Sequence, residues 1–299
     1  MVTHRTYGAY VLPGDPTWLE RTLPRYYPLL DDLVVPVPRD GRGWTGTPIQ
    51  VAECLEIVRR VDTRGLLRVV EGSWTDPADP LAADTAQRQA ALDALSGSVD
   101  WIVQIDNDEF LPEASTLVEA IDLAEERGLG IVELPMRVLF RRTGRTVLEV
   151  VASDGGPRYE YPGPVAVRAG STTVNARRAV GPFLRMVVAG DERSLQVNRP
   201  AEPGETRLAT LRPDQAIVHN SWARTPAQIR AKVSSWGHAD ASLGRYYWTV
   251  WWPAPLTWWL LRDFHPFSRG LWPRLARRPV ADTEPAPAPA SSTVGPADA

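Results

Sequence analysis

The stretch Asp100 to Phe110, DWIVQIDNDEF, delivers three acidic residues and an asparagine directly after a nearly apolar run. In an extended chain residues two apart point to the same side. Asp106 and Asp108 are therefore expected to present both carboxylates together while Asn107 points elsewhere. Two carboxylates held close repel, and a divalent cation allows both to stay ionised. Oxygen ligands select Mg²⁺ or Mn²⁺, and a metal with few protein ligands keeps positions open for water and substrate phosphates. The turn reads as a site for a metal-bound diphosphate.

Other chemistries compete for the same residues. A calcium loop of EF-hand type needs glycine at its sixth place and glutamate at its twelfth. Counted from Asp106 these places hold Leu111 and Leu117, which excludes that loop. A HAD-like metal-dependent phosphatase or phosphotransferase also opens its site with an apolar run and Asp-x-Asp. It expects threonine or valine where Phe110 stands. The plainest alternative is a solvated acidic turn, with Glu109 and Glu113 favouring the positive end of the following helix.

Carboxylates used in this way need a rigid scaffold, and the flanking sequence alternates strand-like and helix-like segments. Tyr7 to Leu12, Asp32 to Val37, Leu66 to Val70, Trp101 to Ile105 and Gly130 to Leu134 read as strands. Thr17 to Leu30, Ile49 to Val61, Asp84 to Leu95 and Glu113 to Arg127 read as helices. Alternation of this kind implies an α/β fold with a Rossmann-like, mainly parallel central sheet and helices on both faces. Ligands of such sheets bind at the carboxyl ends of the strands, where the acidic turn falls.

From Met136 to Tyr161 and from Val165 to Val197 the pattern suggests hairpins and irregular loops. A strand from Ala216 to His219 follows, and Thr225-Pro226-Ala227-Gln228 has the form of a capped helix start. We expect one domain over residues 1–278 and a disordered Pro/Ala-rich tail over 279–299.

Composition sets outer limits. The chain has 299 residues, 43% hydrophobic and 23% charged, which excludes disorder throughout. A net charge of -3 gives no reason to expect nucleic acid as a partner. The single cysteine, Cys54, excludes an intramolecular disulfide and a thiolate-rich metal site. With no long apolar run at the N-terminus, a cytoplasmic protein is expected. Lys232 is the only lysine, suited either to meeting a phosphate or acceptor or to lying solvated on its helix.

Two segments, QRQAALDALSGSVDWIVQIDNDEFLP and IVHNSWARTPAQIRAKVSSWGHA, resemble bacterial family 2-type glycosyltransferases of the GT-A fold. The resemblance implies a hexosyltransferase that uses Mn²⁺ or Mg²⁺. It would move sugar from a UDP- or GDP-linked donor to a glycan, lipid or small-molecule acceptor, with inversion. It places Arg88 near the nucleotide, Asp40 where such folds read the base, and Pro13 and Asp15 against the nucleoside. It makes His219 a metal ligand beside Asp106 and Asp108, with His238 as rival. The inverting base would lie in a later loop, where Asp191, Glu192 and Asp154 are available but the usual Glu-Asp pair is missing.

The residues leave alternatives beside these assignments. Arg88 lies on the apolar face of its helix and needs an anion, which a nucleotide or an internal carboxylate such as Asp106 would supply equally. Asp40 also suits a plain turn. No glycine-rich phosphate loop with basic residues near the N-terminus supports a nucleotidyltransferase. A non-catalytic carbohydrate-binding protein would use its tryptophans as platforms.

Those tryptophans concentrate in the aromatic-rich segment 246–273, where YYWTVWWPAPLTWWLLRDFHPF holds five of the chain's 12. The uncharged part, Tyr246 to Leu261, is shorter than the roughly 20 residues of a spanning helix, and Pro253 and Pro255 interrupt it. Three uses compete: peripheral docking to a membrane interface, stacking on a sugar, and a helix covering the sheet.

Overall fold

The computed structural model describes residues 5–235 and 241–283. In chain order its strands are β1 (Tyr7–Tyr10), β2 (Asp32–Pro38), β3 (Leu67–Gly72), β4 (Trp101–Val103), β5 (Glu109–Phe110), β6 (Ile131–Glu133), β7 (Met136–Thr143) and β8 (Thr146–Val151). They continue as β9 (Ala166–Arg168), β10 (Thr173–Asn175), β11 (Arg178–Ala179), β12 (Phe183–Val188), β13 (Glu205–Leu211), β14 (Ile217–His219) and β15 (Arg274–Pro279). The α-helices are α1 (Leu19–Thr22), α2 (Val51–Val61), α3 (Pro80–Leu95), α4 (Ala114–Glu125), α5 (Leu195–Asn198), α6 (Pro226–Ser235), α7 (Ala241–Tyr246) and α8 (Ala254–Thr257).

Eight strands form the main sheet in the order β13-β12-β6-β9-β4-β1-β2-β3. All neighbours run parallel except β9, which is antiparallel to both β4 and β6. Alternation along each strand feeds two apolar layers. Leu33, Val35, Trp101 and Val103 pack on one face with Ile57 and Val58 of α2 and Leu117 and Ile121 of α4. Tyr10, Val34, Ile102 and Ile131 pack on the other with Ala91, Leu92 and Leu95 of α3. The expected α/β architecture, with helices on both faces, is what the chain adopts.

A second sheet, β15-β8-β7-β14-β5, carries the aromatic cluster that includes Phe140, Trp222, Trp251, Phe264 and Trp272. Its short β5, directly after the acidic turn, pairs antiparallel with β14 so that Glu109 faces His219. That pairing brings the turn and the late histidine together across more than a hundred residues of chain.

Local differences from the sequence reading have local causes. The helix expected from Thr17 to Leu30 is a single α turn followed by two 3₁₀ turns, because Pro24 and Pro28 remove donors and clash within a helix. Helix α3 begins earlier than expected, with Asp79 accepting from the Ala82 amide and Pro80 in the first turn. The region read as hairpins and irregular loops also contains β9 and β12, both strands of the main sheet. Residues 279–283, assigned above to the tail, end β15, form a 3₁₀ turn over Val280–Asp282 and finish in buried Thr283. The rest of that tail, 284–299, lies outside the described residues.

Candidate functional site

A cleft of about 240 Å³ opens at the carboxyl ends of β1, β2 and β4. Leu12, Pro13 and Asp15 reach it from the loop after β1, Gly43, Trp44 and Ile49 from the loop after β2, and Asp84, Gln87 and Arg88 from α3. The acidic turn contributes Asp106, Asn107 and Asp108, while Arg224, Gln228 and Lys232 close the cleft from α6 and its lead-in. Leu12, Pro13, Trp44 and Ile49 thus supply apolar surface to a cleft whose other lining is largely charged.

The acidic turn is not extended. The Glu109 amide donates to the Asp106 carbonyl at 3.0 Å, closing a turn that sends the two aspartates to different partners. Asp106 accepts from Arg88 at 2.9 Å, and Arg177 lies 3.7 Å away. Burial pushes the Asp106 carboxyl up, but Arg88 and Arg177 outweigh it and hold the group below the usual carboxylate range. Asn107 donates to the carbonyls of Leu12 and Asp15 at 2.9 and 2.8 Å, tying the turn to the loop after β1.

Asp108 is buried among cations. Its Oδ2 accepts from Arg224 at 2.7 Å and from Lys232 at 3.3 Å, and its Oδ1 lies 3.6 Å from His219 Nε2. Burial acts against the charge, yet Lys232 and Arg224 hold the carboxyl well below the usual range. Burial also lowers the His219 pKa in spite of Asp108, so its imidazole is neutral, with Nδ1 buried and unpartnered. Lys232 is lowered by burial too, opposed by Asp108. It is no solvated helix lysine, since its ammonium also donates to the Ser221 carbonyl at 2.9 Å.

Arg88 has internal anions, Asp84 at 2.7 Å and Asp106, as the salt-bridge alternative anticipated. Arg224 also pairs with Asp15, so that aspartate contacts the lead-in to α6 as well as lining the cleft. Glu109 turns inward to a bidentate pair with Arg177, both bonds 2.7 Å. Arg177 enters the core from the turn between β10 and β11, beside Gly163. A Cβ on Gly163 would stand 3.1 Å from the Arg177 stem at a φ of +154° that side chains rarely adopt.

Several expected site residues are elsewhere. Asp40 caps its own turn, accepting from the Arg42 amide and the Thr75 hydroxyl, and is not among the cleft-lining side chains. Asp154 pairs with exposed Arg193, and Asp191 caps the amides of Arg193 and Ser194. With Glu192 they form a separate loop cluster that does not line the cleft, so the loop expected to supply a base does not reach the acidic turn's cleft. His238 lies outside the described residues. In the opposite direction, Trp44, Arg177 and Arg224 carried no local signal: each is an ordinary loop or turn residue until the fold places it.

The donor set can be tested against a metal. Among the described residues no three His, Cys, Asp or Glu side chains converge on one point, so the expected trio of Asp106, Asp108 and His219 is not assembled. His219 is not among the cleft-lining side chains, but its Nε2 and Asp108 Oδ1, 3.6 Å apart behind the lining Asp108, do fit a shared cation. Two ligands at about 2.1 Å from a metal lie roughly 3–4 Å apart, and the ligand imidazole must be neutral.

No family model and no curated protein sequence matches this chain. Among solved structures it is similar to 4-diphosphocytidyl-2C-methyl-D-erythritol synthase from Anaerococcus prevotii, at 13% identity over 55% of this chain and 72% of that one, with a TM-score of 0.31. A second 4-diphosphocytidyl-2C-methyl-D-erythritol synthase gives 16% identity over 56% and 76%, with a TM-score of 0.33. Likeness at that level extends to neither activity nor site residues.

Proposed function

We propose that the cleft binds a nucleotide-diphosphate sugar and transfers the sugar to an acceptor hydroxyl, as the resemblance to family 2-type glycosyltransferases of the GT-A fold implies. The observation that carries this reading is the meeting, in one cleft, of two carboxylates from a single turn, two cations from the α6 region and the ring of Trp44. Trp44 is held by its indole N–H, which donates to Gln87 at 2.6 Å, and offers a flat apolar surface for a nucleoside. Arg224 and Lys232 would exchange part of their bonding to Asp108 for phosphate oxygens.

Mn²⁺ or Mg²⁺ would be held by Asp108 and His219, with phosphate oxygens and water completing its coordination, and would neutralise the departing diphosphate. Charge favours that pairing. Four carboxylates and three cations line the cleft, which is close to balance. A diphosphate entering with one divalent cation leaves the balance nearly unchanged, whereas a bare diphosphate adds uncompensated charge. Asp106 is assigned to positioning Arg88 and the turn rather than to the metal.

Calorimetric titration of UDP and of GDP, each with and without Mn²⁺, tests the reading. We expect one of them to bind only with metal, and Asp108→Asn to weaken that binding at least tenfold. Failure of both nucleotides to bind under any condition would remove the transferase reading and favour phosphomonoester hydrolysis or simple sugar binding.

A further inference from the structure

The aromatic segment is apolar on two opposite faces, and only one of them is covered. Residues 241–257 are helical almost throughout, as α7, a π-helical turn over Tyr247–Trp251, and α8, and helical hydrogen bonds continue to Leu261. Leu243, Tyr247, Trp251 and Ala254 are buried against the second core, with Trp258 and Leu261 packed beside them. On the other side Trp248, Trp252, Leu256, Trp259 and Leu260 are between 45 and 81% exposed. Their spacing of about four residues makes one helical stripe, and the rings of Trp248 and Trp252 lie 5.8 Å apart. The stripe is roughly 18 Å long at the rise of a helix.

Water is a poor neighbour for such a surface. A helix covering a sheet is normally polar on its outer face, and large contiguous apolar patches on a soluble protein mark interaction sites. Scatter does not account for it either: six of the ten exposed large apolar side chains among the described residues fall between Trp248 and Phe267.

The charges around the stripe point to the occupant. Exposed Arg245 and Arg262 stand at its two ends and exposed Arg269 lies just beyond Phe267. Residues 241–283 hold six arginines against two aspartates, although the chain as a whole is acidic, at -3. Tryptophan and leucine on one face with arginine at the margins is the chemistry of an amphipathic element lying in an anionic lipid interface.

We propose that the stripe Trp248–Leu260 docks the protein peripherally on an anionic bilayer. No helix among the described residues is long and apolar enough to cross a membrane, so the contact is to one leaflet. Its inner face shares a core with Ile229 of α6, and Arg230 of α6 donates to the Tyr247 hydroxyl at 3.1 Å. The cleft wall formed by Gln228 and Lys232 is therefore built on the docked element. The proposal is independent of the transferase reading, because it concerns a surface outside the cleft.

The test is sedimentation of the full chain with vesicles of phosphatidylcholine alone and of phosphatidylcholine with phosphatidylglycerol. A triple variant Trp248→Ser/Trp252→Ser/Trp259→Ser, all at exposed positions, is compared. Binding to the anionic vesicles, weakened by 0.5 M salt and lost at least tenfold in the variant, is expected. Quenching of wild-type tryptophan fluorescence by acyl-chain-brominated lipid supplies a reading that needs no variant. Absence of both sedimentation and quenching would overturn the proposal. So would a wild-type dimer that the triple variant dissolves without any vesicle binding, since the stripe would then be an interface between copies of the chain.

Discussion

Replacing Asp108 by asparagine keeps the shape of the side chain and removes only its charge. Arg224 retains Asp15, and Lys232 retains the Ser221 carbonyl and is already disposed by burial to lose its proton. Neither cation is fully orphaned. The loss of stability at pH 7 should thus be about 1–3 kcal/mol, below the 3–5 kcal/mol typical of a broken buried pair. The Asp108 pKa is depressed in the folded state, so its contribution is present above the unfolded carboxyl value near pH 4 and fades as pH falls towards the folded one. The deficit of the variant should shrink in acid. On the binding side, nucleotide and Mn²⁺ at about 100 times Kd stabilise the wild type by about 2.7 kcal/mol, a rise in Tm of roughly 4 °C for a chain this long. If loss of the ligating charge weakens binding a hundredfold, the same mixture contributes only about 0.4 kcal/mol, under 1 °C. Thermal scans with nucleotide, metal, both and neither read this directly. A full shift retained by Asp108→Asn would refute the assignment. Stronger metal-free nucleotide binding by the variant would refute it more informatively, because freed Arg224 and Lys232 would then be the phosphate site.

Glu109→Gln removes the bidentate partner of Arg177 but leaves it Asp106 at 3.7 Å and the Gln104 carbonyl, and should cost about 1–3 kcal/mol in urea unfolding; no measurable loss would remove the pair's structural role. Lys232→Met should lower nucleotide affinity at least tenfold while changing stability by less than about 1 kcal/mol, since it removes a cation that burial already disfavours. Glu160 has its pKa pushed from 4.5 to about 7 by burial, with Trp272 donating to it at 3.2 Å. The folded state holds that proton more tightly than the unfolded chain, so stability falls as pH rises from about 4.5 to about 7. Glu160→Gln should remove this fall and gain about 2–3 kcal/mol at pH 8, which matched denaturation curves at pH 5 and pH 8 would test.

The elements that could be read from the sequence are those whose signal is local. The apolar runs in Asp32–Pro38 and Trp101–Val103, helical spacing in Val51–Val61, and the capping residues of α6 each require only neighbours in the chain. The α6 cap forms as its pattern implies, with the Thr225 amide donating to Gln228 and the Gln228 amide to Thr225. The position of the acidic turn at a strand end follows from the same kind of signal, and so does the burial of Arg88 on the apolar face of α3. What tertiary structure alone decided is the fate of each charge. Asp108 meets Arg224 at a separation of 116 residues and Glu109 meets Arg177 at 68, and no periodicity encodes such partners. The turn, expected to aim both carboxylates one way, divides them because buried charges settle where a counter-charge is packed. The tryptophans divide by the same logic: Trp251 and Trp272 are core, Trp248 and Trp259 face outward, and composition is identical for both sets. Sequence patterning is sufficient for which segments pack. Which ions and rings face each other depends on the distances that packing creates.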